Sequence, residues 1–196
     1  MRRAVFALGV ALLAGGWAVA GLGMTGHMAA HMLAVAVAAP CIAVGIAGTR
    51  ADPAQRLPHI VTPLAMSVVE LGVVWSWHLP VLRAAAAHAP LLLALEQASF
   101  LAAGVLLWSA VLAPGARAMG VGALLLTSMH MTLLGALIGL APRPLYPAMM
   151  HQTPWGLAPL ADQQLSGVVM LLVGGAAYFL GGLGLLGTLL RQEARA

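Results

Sequence analysis

Lysine is absent from this chain and cysteine occurs once. The lone Cys41 excludes an internal disulfide and any Cys-x-x-Cys metal or redox motif, so a metal site here has to be built from histidine, methionine and carboxylate. Acids are scarce too, five Asp and Glu against nine arginines. Those arginines are scattered between apolar runs without a basic stripe or interleaved aromatics. That pattern excludes a nucleic-acid surface despite a pI near 10.7, and makes an acidic lipid surface the expected partner of the charge. No nucleophile stands beside a base, no glycine loop would cradle phosphate and no carboxylate dyad is visible, so no catalytic residues and no turnover are expected.

What the chain has in abundance is apolar residues. They make up 62% of it, charged residues make up 7%, and the mean hydropathy is +0.98, which makes the bilayer the solvent. A helix crosses hydrocarbon with about 20 apolar residues. Six runs qualify, at about 4–22, 27–48, 60–78, 91–113, 118–140 and 163–190, and in lipid their backbones must be helical to satisfy their own polar groups. The expected fold is all-α, a polytopic bundle of about six transmembrane helices forming one membrane domain over residues 1–196. With the N-terminus cytoplasmic, Arg2, Arg3, Arg50, Arg56, Arg117, Arg191 and Arg195 fall inside and only Arg83 and Arg143 outside, a positive-inside bias. An alternative for the first run is a signal peptide cleaved after Ala18-Val-Ala20, which would still leave His27 outside.

On this topology the polar residues gather toward the outer face. The second run opens Met24-Thr-Gly-His27-Met28-Ala-Ala-His31-Met32, and positions 24, 27, 28 and 31 fall within about a 100° arc of a helix, with Met32 at its edge. Imidazoles at i and i+4 on one helix face are a common way to hold a metal, and added thioethers lean the choice toward copper. The bland reading is that the methionines are adaptable packing residues and the histidines bond to neighbouring helices. The third run ends Trp75-Ser-Trp77-His78-Leu-Pro80, with tryptophan marking the interface and His78 beside it as a further candidate ligand. Glu70 lies about 12 Å deeper, where an acid needs a partner, and His130 at matching depth is the expected one. Glu96 and Gln163 are candidates to orient histidine rings, and Asp162 to cap the last helix. Glycines 167, 174 and 181, spaced by seven, are read as helix-packing positions. His88 and His151 are placed in outer loops and His59 inside.

Three competing readings stay open on the residues alone. Haem could be held if His27 or His31 opposed His78 or His130; the chain could be a scaffold whose histidines only pair helices; or Glu70 and His130 could serve a transporter, although no inverted repeat is apparent.

One ordered series of motifs resembles the cytochrome c oxidase assembly factor CtaG family. It runs from His27-Met-Ala-Ala-His31 through Ala39-Pro40, Trp77-His78-Leu-Pro80, Glu96-Gln-Ala-Ser-Phe100-Leu-Ala-Ala-Gly104, Leu134-Gly-Ala136 and Arg143-Pro-Leu-Tyr146-Pro147 to Trp155-Gly156 and Asp162-Gln-Gln-Leu165. The likeness spans about residues 27–190. It implies a bacterial inner-membrane protein that helps build active cytochrome c oxidase by helping copper reach it, with an oxidase subunit or another copper chaperone as partner. It also implies that His27, His31, His78, Glu96, Asp162 and Gln163 are the family's recurring polar positions. Two departures stand out: family members often carry histidine where this chain has Gln97, and many have an additional helix. Together, the residues and the resemblance lead to an expected copper site of His27, His31 and His78 with Met28 and Met24 as softer auxiliaries, and Glu96, Asp162, Gln163, Glu70 and His130 as a surrounding polar network.

Overall fold

The structure, a computed structural model, describes residues 1–149 and 156–194. His151, Trp155 and Arg195, named above, lie outside the described residues. Among the described residues eight α-helices follow in chain order: α1 (Arg2–Val19), α2 (Gly23–Ile46), α3 (Pro53–Arg56), α4 (Pro63–Trp77), α5 (Pro80–His88), α6 (Pro90–Leu112), α7 (Arg117–Gly139) and α8 (Pro159–Gln192). Five of them are long and apolar enough to cross a membrane alone, and α4 with α5 forms a sixth candidate span bent by 70°. The chain is thus an all-helical, multi-pass membrane protein.

The element boundaries differ from the apolar runs where polar contacts or proline decide them. The second helix starts at Gly23 instead of residue 27 because a cap reaches it from a distant helix, described below. The third run stops at Trp77. Leu79 is extended at ψ 130, as a residue before proline favours, and Pro80 then occupies the first turn of a new helix through the alanine run to His88. This segment was expected to be a loop. Short α3 is capped by Asp52, whose carboxylate accepts from the Ala54 backbone N–H at 3.0 Å and the Gly48 N–H at 2.9 Å.

Two helices are locally widened. In α2 the residues Leu33–Ala38 form a π-type turn, with the Ala39 N–H donating to the Ala34 carbonyl five residues back. Pro40, which has no N–H and crowds the preceding turn, follows immediately, and the wider turn accommodates it. In α8 the same widening covers Met170–Gly174.

The helices close on each other through small residues. Gly135 of α7 meets Gly167 of α8 so tightly that a Cβ on Gly167 would stand 2.6 Å from the Gly135 carbonyl oxygen and 2.6 Å from the Gly139 Cα. Two heptads along, Gly181 faces the Trp108 ring, where a Cβ would meet the indole at 2.6 Å. The heptad of glycines thus packs α8 against α7 and α6, as its spacing predicts. Arginines divide unequally between the two ends of the bundle. Arg2 donates to the Ala47 carbonyl at 2.8 Å and Arg117 to the Gln192 side chain at 2.9 Å, both at the end opposite His27, whereas Arg83 lies at the His27 end.

Gly167→Ala is expected to lower thermal stability in detergent by about 1–3 kcal/mol, since backbone on both sides must move. Gly184→Ala, where nothing lies within 4 Å of the added carbon, is the control and should leave the Tm unchanged or slightly raised. Equal behaviour of the two variants would show that the helix contact is looser than described.

Candidate metal centre

Helix α2 carries His27 and His31 one turn apart on its inward face, 3% and 1% exposed. Their position depends on how the helix starts. Gly23 adopts φ 68, which lets the chain turn directly out of α1, and the first free backbone N–H groups of α2 are then taken by Asp162 of α8. Its carboxylate accepts from the Met24 N–H at 2.7 Å, the Thr25 N–H at 3.1 Å and the Thr25 hydroxyl at 2.6 Å. Asp162 therefore caps α2, not its own helix as expected. A carboxylate on free N–H groups at a helix start is favourable. It ties α2 to α8 one turn before the first histidine.

Helix α6 brings Glu96 against both rings. Glu96 Oε1 lies 3.3 Å from His27 Nε2 and 3.4 Å from His31 Nε2, and the two Nε2 atoms lie 2.7 Å apart. Phe100, one turn along α6, stacks on the His31 ring with centroids 4.0 Å apart and planes 20° from parallel, which sets that ring's orientation. Donors bound about 2.0–2.1 Å from one tetrahedral ion stand roughly 3.3–3.4 Å apart. Two edges of the triangle already have that length, and the imidazole edge, at 2.7 Å, would have to open by roughly 0.6–0.7 Å. Two imidazoles and a carboxylate form a donor set that suits copper(II), zinc or iron. Glu96, expected to orient a ligand, is instead a member of the cluster itself.

Arg83 was placed by the sequence only as an outer-loop charge. It is 3% exposed on α5, with Nη1 2.5 Å from Glu96 Oε2 and 2.6 Å from His27 Nε2. A guanidinium can only donate, so His27 Nε2 accepts, and its lone pair points at a cation. The signal was there to be read: a buried glutamate in a membrane helix needs a positive partner, and Pro80 followed by Val-Leu-Arg83 and four alanines has the make-up of a helix that could carry one.

His78 sits beside the cluster without joining the triangle. Its ring centroid is 6.2 Å from that of His31, its Nδ1 lies 2.7 Å from the Val74 carbonyl, and its own carbonyl accepts from the Tyr146 hydroxyl at 2.9 Å. Burial pushes that hydroxyl, in the loop before α8, up to about 12, so it remains a donor. Met28 is wholly buried in the apolar core, and Met24 lines a small cleft with Tyr146, Met149 and Asp162.

Other members of the expected network serve different ends. Gln163 bonds to no histidine among the described residues; its carbonyl accepts from the Leu145 N–H at 2.5 Å and its amide donates to the Arg143 carbonyl at 3.4 Å, holding the loop after α7. Glu70 does not pair with His130. Its carboxyl meets the Tyr178 hydroxyl, which lies 3.0 Å from the Val35 carbonyl inside the widened turn of α2. His130 is 5% exposed and neither ring nitrogen has a partner among the described residues. Matching depth was therefore insufficient: Tyr178 of α8 fills the place next to Glu70.

A family model described as cytochrome c oxidase caa3 assembly factor matches residues 1–192. No curated protein and no solved structure matches the chain. The match takes in every helix and the whole of the His27, His31, Glu96 and Arg83 cluster, and the chain belongs to the cytochrome c oxidase caa3 assembly factor family.

Proposed function

We propose that this assembly factor takes part in building the oxidase by holding a copper ion as cargo at the His27, His31 and Glu96 cluster and passing it on. The convergence of three donor atoms from two helices, with a guanidinium in contact with two of the three residues, is the observation that carries this reading. His78 is the next imidazole in line, and the thioethers of Met24 and Met28 are softer stations for a departing ion. On the arginine bias the cluster faces the periplasmic or extracellular side of a bacterial inner membrane. The role is binding and transfer without turnover.

Arg83 gives the transfer its energetic logic. A carboxylate buried without a counter-charge is costly, and removing one partner of a buried ion pair destabilises by about 3–5 kcal/mol. Without an ion, Arg83 neutralises Glu96 and occupies the lone-pair direction of His27. An arriving cation takes over both roles, and the guanidinium withdraws with α5, which hangs on the 70° bend after Trp77. Because every binding event displaces a built-in cation, affinity is held down and release is eased.

Purified wild-type protein should retain copper that the His27→Ala, His31→Ala double variant does not. Glu96→Gln should weaken copper binding by about tenfold or more, roughly one lost interaction of 1.4 kcal/mol. Equal copper content in all three would remove the metal reading, and a stoichiometric Soret band would replace copper with haem.

Arg83→Met separates the counter-cation role from simple support of the fold. Its copper-free form should melt at lower temperature than wild type, and saturating copper should raise its Tm by more than it raises that of wild type, with copper affinity increased about tenfold. Weaker copper binding in this variant would mean that Arg83 helps hold the ion and does not compete with it.

A further inference from the structure

Beside the cluster, α1, α5 and α6 enclose a groove with a volume of about 890 Å³, lined by His27 and Arg83 at its head and by apolar residues down to Val105. Its wall along α6 is a stripe of alanines, Ala94, Ala98 and Ala102, spaced four apart and therefore stacked on one helix face. From Ala94 to Val105 this wall runs about 16 Å. Small residues in such a repeat let a second helix approach closely in lipid, where close packing and hydrogen bonds drive association.

Within the same wall Gln97 is 8% exposed; its amide nitrogen and carbonyl oxygen lie beneath the groove surface, neither has a partner among the described residues, and a turn of the side chain toward the groove brings them to an occupant. In hydrocarbon a polar group left without a partner is costly. An acyl chain filling the groove would leave both atoms unpaired. An occupant that satisfies them presents its own amide or hydroxyl opposite Gln97 while packing an apolar, small-residue face on the alanines. Helix α1 of a second copy cannot be that occupant, since it has no amide or hydroxyl between Arg3 and Val19.

We infer that the groove is a docking site for a single membrane-spanning helix of the client oxidase, one bearing an amide or hydroxyl side chain at the level of Gln97. This deepens the assembly role proposed above and rests on it, because the docked helix would lie directly against His27 and Arg83. The groove brings the recipient to the donor. It also accounts for glutamine at position 97: the side chain offers a donor and an acceptor to a neighbour and makes no bond among the described residues.

The test uses the full-length protein co-expressed with a caa3-type cytochrome c oxidase. A photoreactive amino acid is placed at Ala98 in the groove, or at Leu180, which is 63% exposed and does not line it. The Ala98 probe should yield an adduct with an oxidase subunit and the Leu180 probe none. Gln97→Leu in the Ala98-probe background should lower that yield about threefold, the worth of one average hydrogen bond between membrane helices. Adducts to phospholipid alone or to a second copy, equal yields at both probe positions, or no effect of Gln97→Leu would overturn the assignment. Copper measured on the same membranes keeps the two proposals apart. An adduct retained while copper is no higher than in the His27→Ala, His31→Ala variant sinks the copper reading and leaves the groove standing; copper retained with no adduct does the opposite.

Discussion

A carboxylate cannot remain alone at membrane depth, and the pairing of Glu96 with Arg83 governs the arrangement around it. The charge on α6 has to be met within about a hydrogen-bond length, and the group that meets it comes from α5, the helix set at 70° to its predecessor. Without the extended Leu79 and the helix start at Pro80, Arg83 would continue the line of α4 toward water. The same carboxylate approaches two imidazoles from α2. One acid therefore joins three helices, and a change at Glu96 strains all of them. Ion pairs of this kind are weak evidence for stability, because apolar replacements often do as well. What this one supplies is a fixed charge that another cation can take over.

A second constraint lies deeper in the bundle, where the helices approach too closely for ordinary side chains. The Gly135 and Gly167 contact sets the distance between α7 and α8, and Gly104 does the same for α6 and α2, since a Cβ there would meet the Val35 carbonyl at 2.7 Å. Val35 lies in the widened turn before Pro40. Its carbonyl, displaced from the regular ladder, finds the Tyr178 hydroxyl, and that hydroxyl also meets Glu70. The proline, the wide turn, the glycine opposite and the buried acid are thus consequences of one another. Through α2 this deeper arrangement reaches the histidines, which sit on the same helix one to two turns away.

How far the sequence discloses this depends on the range of the forces involved. The spans follow from apolar length alone and are recovered to within a few residues. His27 and His31 are legible as a pair because their relation is local, one helical turn. The relations across helices were not. Depth alone offered His130 to Glu70, yet Tyr178 of α8 occupies the place, because depth says nothing about which faces of two helices meet. Asp162 carries the marks of a cap for its own helix and caps α2 instead. Gln163 carries those of a ligand-orienting amide and holds a loop. Arg83 was hidden for a different reason: in counting positive charges by side, an arginine between spans is ordinary, and only a search for the partner of Glu96 would have singled it out.

The position of the cluster between a capped helix start and an open groove has a further physical consequence. Asp162 holds the first turn of α2 rigidly to α8, so His27 and His31 can shift little; Glu96 lies inside the continuous helix α6 and can shift little either. Of the four residues, Arg83 is the one on a helix of nine residues joined to the rest through an extended linker residue. Withdrawal of the guanidinium from the triangle therefore falls on α5. Arg83 also lines the head of the groove, so the same movement changes the shape of the place where a neighbouring helix would lie. If the proposed ion and the proposed helix both bear on α5, thermodynamic reciprocity requires that each alter the affinity of the other.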